Sequence, residues 1–385
     1  MSYLIEISKH SLNKKNEELC GDCIEIYKED GDAIIILADG LGSGVKANIL
    51  ATLTTKIAMT MLKKNQSIEE TIETIMSTLP ICKVRGIAYS TFSIIKIDKY
   101  FNCTIIEYDN PPVIVIENDE LREIVKTRHI YNHKEVKVSD FKIKEGTYIT
   151  LVSDGVVHAG IGLELNHGWQ WHHIADYLKR QKKESVEIYN RELIQGCNTL
   201  YDGKPGDDAS AVTVTITKKK IINVMIGPPE DKKLDEKIVK MFNKRQGQKV
   251  VCGGTTSQII ARVLEKDIIT TFDYINEKLP PIARIDGFEL VTEGLLTLKE
   301  TFDRLKRFNE NNQEKIDSES LDGATLLLKK LVNEGNCIHF LIGRGINKAF
   351  HNQQIPFELS AKYNIIKKII KELEKLDKEI KMELY

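Results

Sequence analysis

The chain has 385 residues, of which 42% are hydrophobic and 29% charged, and its formal net charge at pH 7 is -1. This composition is ordinary for a globular protein, and a charge near zero gives no reason to expect a nucleic-acid partner. No apolar run reaches the roughly 20 residues that a membrane-spanning helix needs, and the N-terminal residues show no signal-peptide pattern. We therefore expect a cytoplasmic protein without a membrane or nucleic-acid partner, and the length favours two domains.

In chain order, the first strong pattern is a buried strand at residues 32–38, which runs directly into Asp39 and a glycine-rich segment. Residues 45–79 then show the period of two helices. The apolar positions of the first helix recur every four residues: Ile49, Leu53, Ile57 and Met61. The loop between strand and helix is expected to need backbone angles that are open mainly to glycine, at Gly42 and Gly44.

The rest of the first half is dominated by β-type segments. They lie at residues 89–97, 103–108, 111–118, 146–155 and 209–216, with helices predicted at 169–179 and 186–198. Strands, a helical pair and then mostly strands again favour an α+β fold with antiparallel sheets over a doubly wound parallel fold.

The pattern changes near Thr217, where a basic run precedes a β-α-β-α order that predicts a small α/β domain. We therefore expect domains at residues 1–217 and 218–385. Residues 358–385 are predicted to end the chain as a helix. Its apolar residues are spaced three and four apart on one narrow stripe: Ile366, Ile369, Leu373, Leu376 and Ile380. Docking within the domain is slightly favoured over a homodimer as the way to cover this stripe.

Aspartates at four places stand next to glycine and beside a β-type segment. They are Asp22, Asp39, Asp154 and the pair Asp207-Asp208, which follows Gly206. They are too far apart in sequence for a local metal loop, so only the sheets can bring them together. A carboxylate at a buried strand end is costly unless a cation or hydrogen bonds compensate it. Oxygen ligands favour Mg²⁺ or Mn²⁺, although Asp-Gly also marks plain turns and that alternative holds for any single site.

The ordered set "GD", "LADGLGSGVKA", "AYSTFSII", "VSDG" and "GDDASAVTV" resembles the SpoIIE-type branch of the metal-dependent serine/threonine phosphatases, the PPM superfamily, over about residues 18–217. The resemblance implies two antiparallel sheets sandwiched between helices, with two Mn²⁺ or Mg²⁺ ions at one end. Asp39 would bridge both ions, Asp22 and the Gly40 carbonyl would complete one site, and Asp154 with Asp207 would hold the other. Asp208 would be an alternative or supporting ligand.

The same resemblance implies hydrolysis of phosphoserine or phosphothreonine on a regulatory partner protein by direct attack of a metal-bridging water. In another branch, a histidine two positions after the bridging aspartate is a candidate general acid, but this chain has Leu41 there. Arg85 is a candidate phosphate contact, although a solvated surface arginine is the favoured interpretation. The helices over residues 45–79 are candidates for regulation, or simply a layer that covers the sheet.

The second domain contains "KVVCGGTTSQIIARVLEK", in which a short strand leads through two glycines into a helix. Free N–H groups at such a helix start can bind an anion, which makes Gly253, Gly254, Thr255 and Thr256 a candidate site. A plain helix cap is the favoured alternative. The two-domain layout is similar to SpoIIE-type proteins found beside iron-only hydrogenase systems, which would give this domain a sensing or targeting role.

Three functions therefore remain open. The first is a phosphoprotein phosphatase, the second a degenerate phosphatase fold that only binds or senses, and the third a phosphatase of small phosphorylated metabolites. The complete set of costly carboxylates favours an enzyme over a degenerate fold.

Overall fold

The computed structural model describes residues 3–78, 90–131, 134–270, 279–312, 314–317, 319–345 and 355–385, with the side chains of 355–360 excepted. The chain divides into two compact units, Met1–Lys218 and Lys219–Tyr385. No helix among the described residues is long and apolar enough to span a membrane.

The first unit is built from antiparallel strands and five helices in its described part. In chain order these elements are β1 (Tyr3–Leu12), β2 (Asp22–Glu29), β3 (Asp32–Gly40), α1 (Gly44–Lys63), α2 (Ile68–Thr78), β4 (Ser90–Ile97), β5 (Asn102–Tyr108), β6 (Ile114–Glu117), β7 (Glu120–Leu121), β8 (Thr127–Tyr131), β9 (Lys134–Lys142), β10 (Thr147–Val152), α3 (Asp154–Val157), α4 (Trp171–Arg180), α5 (Val186–Leu200) and β11 (Ala209–Lys218).

These strands form two sheets that pack face to face. One has the order β1-β11-β10-β6-β7 and the other β2-β3-β4-β5-β9-β8, and all neighbours in both are antiparallel. Alternate residues of both sheets, such as Ile35 and Val214, share one buried core. Helices α1 and α2 cover the outer face of the second sheet, and α4 and α5 cover that of the first. The predicted α+β architecture of two sheets between helices is confirmed.

Helix α1 packs with a different face from the one that the four-residue period indicates. Ile49 and Leu53 are 59% and 40% exposed. The buried residues are Gly44, Ala47, Leu50, Ala51, Thr54, Thr55, Ala58, Met59 and Leu62. Small side chains let the helix backbone lie close to the sheet, so close approach, rather than side-chain hydrophobicity, decides which face is buried.

The second unit is an α/β structure. Its elements are β12 (Ile221–Ile226), a short 3₁₀ turn (Lys232–Leu234), α6 (Asp235–Asn243), β13 (Gln248–Cys252), α7 (Gly254–Leu264), β14 (Ile269–Thr270), β15 (Ala283–Arg284), β16 (Leu290–Thr292), α8 (Leu295–Glu310), α9 (Gly323–Lys329) with a π-helical extension (Lys330–Glu334), β17 (Cys337–Ile342), α10 (Ile355–Glu374) and β18 (Glu379–Leu384).

Five strands of this unit are parallel, in the order β16-β13-β12-β17-β18, with β14 and β15 added antiparallel at the β16 edge. Helix α6 contacts α7, while α8 contacts both α9 and α10. A parallel sheet of this kind gathers the loops after its strands at one edge, where ligands bind in open α/β folds.

The predicted continuous C-terminal helix is wrong in its last part. Helix α10 ends at Glu374, Asp377 adopts a positive φ of 55°, and the chain then forms β18 beside β17. Ile380 therefore lies on a strand, not on the predicted helical stripe. Ile366, Ile369 and Leu373 are fully buried, and α10 packs on α8. The stripe is thus covered within its own unit, as the docking alternative predicts.

Candidate active site

Asp22 and Asp39 lie opposite each other on neighbouring strands of the first unit. Asp22 begins β2 and Asp39 is the penultimate residue of β3, and the antiparallel register pairs them directly. The N–H of Gly40 donates to the Gly21 carbonyl at 3.2 Å, which fixes the two strand ends against each other. The predicted meeting of these two carboxylates follows from the hairpin that joins their strands.

Asp154, Asp207 and Asp208 stand at the corresponding edge of the other sheet. Asp154 begins α3 directly after β10, and the two other aspartates directly precede β11, which pairs with β10. The end of β10 is tied to the start of β11 because Ser153 N–H donates to the Ser210 carbonyl and Ser210 N–H donates to Ser153 Oγ, both at 2.9 Å.

Glycines let these segments approach each other closely. A Cβ at Gly155 would lie 2.0 Å from the Asp208 carbonyl oxygen, and one at Gly21 would lie 2.8 Å from Asp208 Oδ2. A Cβ at Gly40 would lie 2.0 Å from the Ala47 carbonyl oxygen of α1. Since real side-chain atoms do not come this close, the carboxylates can converge only with glycine at these positions.

The loop between Asp39 and α1 has the backbone angles that the sequence predicts. The φ angles are 116° at Gly42 and 61° at Gly44, both in the region that favours glycine. Leu41 is half-buried beside them.

Burial and mutual repulsion raise the pKa values of three carboxylates in this cluster, Asp22, Asp39 and Asp154. Burial raises the pKa of Asp22 well above its usual range, an effect that the Ser153 and Ser210 hydroxyls offset only in part. Burial, followed by the charges of Asp22 and Asp154, raises the pKa of Asp39. Burial and the charge of Asp207 likewise raise the pKa of Asp154. The two side chains also act on each other, in a direction that raises the pKa of Asp39 and lowers that of Asp154.

A divalent cation fits this donor set by its chemistry. Both side-chain oxygens of Asp22 are buried without a hydrogen-bond partner in the described part of the chain, a costly state that a cation would relieve. In the arrangement seen here, however, no group of three or more His, Cys, Asp or Glu side chains among the described residues is positioned to hold a metal ion.

We compared the chain with known protein families. The family model of stage II sporulation protein E (SpoIIE) matches residues 29–217, which hold all of these aspartates except Asp22. Residues 29–217 are thus similar to the SpoIIE family. This match supports a serine/threonine phosphatase of the PPM type. A search of curated proteins gives no match.

Several solved structures are similar to this phosphatase domain. The phosphatase domain of SpoIIE from Bacillus subtilis, in a crystal form without domain swapping, has 21% identity and a TM-score of 0.44, covering 56% of this chain and 93% of that chain. The same protein with a fragment of its regulatory domain has 20% identity and a TM-score of 0.49, covering 56% and 64%. RsbX in complex with magnesium has 20% identity and a TM-score of 0.42, covering 55% and 96%.

Three polar groups beside the aspartates of the phosphatase domain were not anticipated from the sequence. Lys14 N–H donates to Asp208 Oδ1 at 2.9 Å, and Lys14 Nζ lies 3.6 Å from Asp207 Oδ1. His158, the residue that caps the C-terminal end of α3, has its Nδ1 3.9 Å from Asp154 Oδ2. The i,i+4 spacing of Asp154 and His158 is the one signal that reading the sequence could have used, since nothing in the spacing of Lys14 points to the site.

Two other sites were predicted from the sequence. Arg85 lies outside the described residues, so its predicted phosphate contact stays a prediction. Gly253, Gly254, Thr255 and Thr256 lie in the second unit, at the junction of β13 and α7.

Proposed function

We propose that residues 1–217 act as a metal-dependent phosphatase that hydrolyses phosphoserine or phosphothreonine on a regulatory partner protein, and that residues 218–385 form a regulatory or sensing domain. The observation that carries this proposal is the direct pairing of Asp22 with Asp39 at one end of the sandwich, where neither side-chain oxygen of Asp22 has a hydrogen-bond partner among the described residues. The match of the SpoIIE family model to residues 29–217 supports the choice of reaction.

Two Mn²⁺ or Mg²⁺ ions would be held by this cluster. Asp39 would bridge them, Asp22 and the Gly40 carbonyl would bind one, and Asp154 with Asp207 the other. When bound, such ions supply a nucleophile from water near neutral pH and neutralise charge on the phosphoryl oxygens. Hard oxygen ligands of this kind are the ones that both cations prefer.

The chain's own residues would position and expose this centre. Asp22 and Asp39 are held by the β2–β3 register, so their separation is set by the sheet and not by a flexible loop. Asp208 is buried and accepts the Lys14 N–H, which favours a supporting role for Asp208 over direct ligation. The side chains of Asp154 and Asp207 are 48% and 41% exposed, so the phosphate would approach from their side.

The experiment is hydrolysis of p-nitrophenyl phosphate and of a phosphoserine peptide by the full chain with Mn²⁺. Asp39→Asn should lower the turnover number roughly 100-fold or more, because the bridging charge serves both ions. Asp32→Asn is the matched control at the exposed start of the same strand, and it should keep wild-type turnover. Hydrolysis of the small ester without the peptide would favour a metabolite phosphatase, and no hydrolysis of either would leave a binding module.

A further inference from the structure

The start of helix α7 lies at the carboxyl edge of the parallel sheet in the second unit. It follows β13 directly, and the Gly253 N–H donates to the Thr292 carbonyl of the neighbouring strand β16 at 2.9 Å. Gly294, after β16, approaches so closely that a Cβ there would lie 3.5 Å from the Gly253 Cα. Loops at this edge of an open parallel sheet are where such folds bind ligands.

The first N–H groups of α7 have nothing to bind in the part of the chain that is described. The helix has 11 residues, its N-cap is Gly253, and no side chain caps it. The first backbone bond is from Ser257 N–H to the Gly253 carbonyl at 2.9 Å, and the Ser257 hydroxyl donates to the Gly254 carbonyl. The N–H groups of Gly254, Thr255 and Thr256 therefore point out of the helix end, where its dipole favours negative charge.

At two other helices of the same unit, a carboxylate accepts hydrogen bonds from the first N–H groups. Glu293 Oε2 accepts the Leu296 N–H at 3.2 Å and so places a carboxylate at the start of α8. Helix α9 is capped by Asp322, which accepts from two backbone N–H groups. Among the described residues, no carboxylate accepts from the first N–H groups of α7.

An independent observation points to a ligand at α7. Thr256 is 1% exposed, and its Oγ1 has no hydrogen-bond partner among the described residues. The hydroxyl is aimed at the helix start, since a Cβ at Gly253 would lie 3.1 Å from it. Gly253 has a φ of 131°, and a Cβ at the exposed Gly254 would meet nothing within 4 Å. The two glycines thus keep open the space beside an unused donor.

We propose that this helix start binds the phosphate group of a small phosphorylated ligand, through the N–H groups of Gly254, Thr255 and Thr256 and the hydroxyl of Thr256. Backbone N–H groups at a helix N-terminus suit phosphate by direction and by charge. Glu293 directly follows the adjacent parallel strand β16, and a carboxylate there would accept hydrogen bonds from the hydroxyls of a sugar carried by the phosphate. A nucleoside phosphate is accordingly the first ligand class to test.

Isothermal titration calorimetry on the full chain in the presence of a chelator tests this proposal, because chelation removes cation-dependent phosphate binding at the acidic cluster of the first unit. The ligands are inorganic phosphate, ribose 5-phosphate and ADP. We expect saturable binding of at least one of them. Binding of phosphate alone identifies the anion, while stronger binding of the sugar phosphate or of ADP identifies the sugar or the base as a further contact.

Two variants locate the site. Thr256→Val should weaken binding about tenfold, the effect of one hydrogen bond to a charged group. It should keep the wild-type melting temperature, because the hydroxyl has no partner to lose. The matched control is Thr301→Val, whose buried hydroxyl donates to the Thr297 carbonyl within α8; it should bind like wild type.

Gly254→Glu supplies a carboxylate at the open helix start and should abolish binding, whereas Gly254→Gln, of equal size, should retain more of it. These variants decide the question if Thr256→Val does not fold. The proposal is overturned if none of the three ligands binds saturably, or if Thr256→Val and Gly254→Glu both bind with wild-type affinity.

Discussion

Asp22 is a single residue that should lower the stability of the metal-free protein. Its two oxygens are buried without partners, and burial raises its pKa above the usual range. Folding therefore takes up a proton, and stability falls as the pH rises from the unfolded pKa toward the raised value. We expect Asp22→Asn, in chelator at pH 7.5, to raise the free energy of unfolding by about 2 kcal/mol.

Urea unfolding with and without Mn²⁺ checks this expectation. Mn²⁺ should stabilise the wild-type protein more than Asp22→Asn, which keeps the aspartates proposed for the second ion. An Asn variant that is less stable than wild type in chelator would show that Asp22 is held by interactions other than those described.

Glu187 is also a buried carboxylate, but its pKa is lowered, whereas that of Asp22 is raised. Burial by itself would raise its pKa, but His10 first, with Arg191 and Ser8, holds the pKa at about 2. The contacts are 2.9 Å to His10 Nε2, 2.8 Å to an Arg191 guanidinium nitrogen and 2.7 Å to Ser8 Oγ. This residue ties α5 to β1, far from the acidic cluster in sequence.

The pH dependence follows from the sign of this shift. A lowered folded pKa gives stability that is present above the unfolded pKa of about 4.5 and lost as the pH falls toward 2. We expect Glu187→Gln to cost about 3 kcal/mol at pH 7 and much less at pH 3. Unfolding free energies of both proteins between pH 3 and 7 measure this, and a constant difference across that range would contradict it.

At the scale of elements, the contact between β3 and α1 depends on one glycine. A Cβ at Gly40 would lie 2.0 Å from the Ala47 carbonyl oxygen, so Gly40→Ala must push α1 away from the sheet end that carries Asp39. We expect Gly40→Ala to lower the free energy of unfolding by about 1–3 kcal/mol, as overpacking does. Mn²⁺-dependent turnover should also fall strongly.

Gly42→Ala is the comparison for Gly40→Ala. Gly42 has a φ of 116°, but a Cβ there meets nothing within 4 Å. Gly42→Ala should therefore lower the free energy of unfolding only by backbone strain, about 1 kcal/mol. Measured turnover should fall less than in Gly40→Ala. Equal effects of the two variants would mean that close packing of α1 does not matter to the site.

Helix α1 also shows where reading the sequence fails. The four-residue period of Ile49 and Leu53 correctly predicts a helix but indicates the wrong buried face. The helix packs through Ala47, Ala51 and Ala58 because its backbone must come close to Gly40. Periodicity records which side chains are large and apolar, whereas the distance between a helix and its sheet is a tertiary property.

The apolar stripe of helix α10 should contribute to the stability of the second unit. Ile369 is fully buried, and α10 packs on α8. We expect Ile369→Ala to cost about 2–5 kcal/mol in unfolding free energy and to leave the mass in solution unchanged. A fall in mass would show that the stripe, against this structure, joins two copies of the chain. Lys367→Ala, on the same helix, is a control expected to have little effect.

For the whole molecule, the features that were predicted best are those that depend on local sequence patterns. Asp39 and Asp154 are marked by an apolar run before them and a glycine after them, whereas Asp22 follows Gly21 at the start of its strand. The antiparallel register of β2 and β3 then pairs Asp22 with Asp39. The C-terminal strand at Ile380 was missed because β18 is stabilised by pairing with β17, which no local pattern shows. Lys14 was missed for the same reason, since its place beside Asp208 comes from the fold.

The measurement that tests the central claim most directly is phosphate release from a phosphoserine peptide by the full chain, followed as Mn²⁺ is added to protein prepared in chelator. We expect no release before the addition, a rate that rises with Mn²⁺ and then saturates, and loss of that rate when the chelator is restored. Release at the full rate in chelator, or none at any Mn²⁺ or Mg²⁺ concentration from folded protein, would contradict a metal-dependent phosphatase.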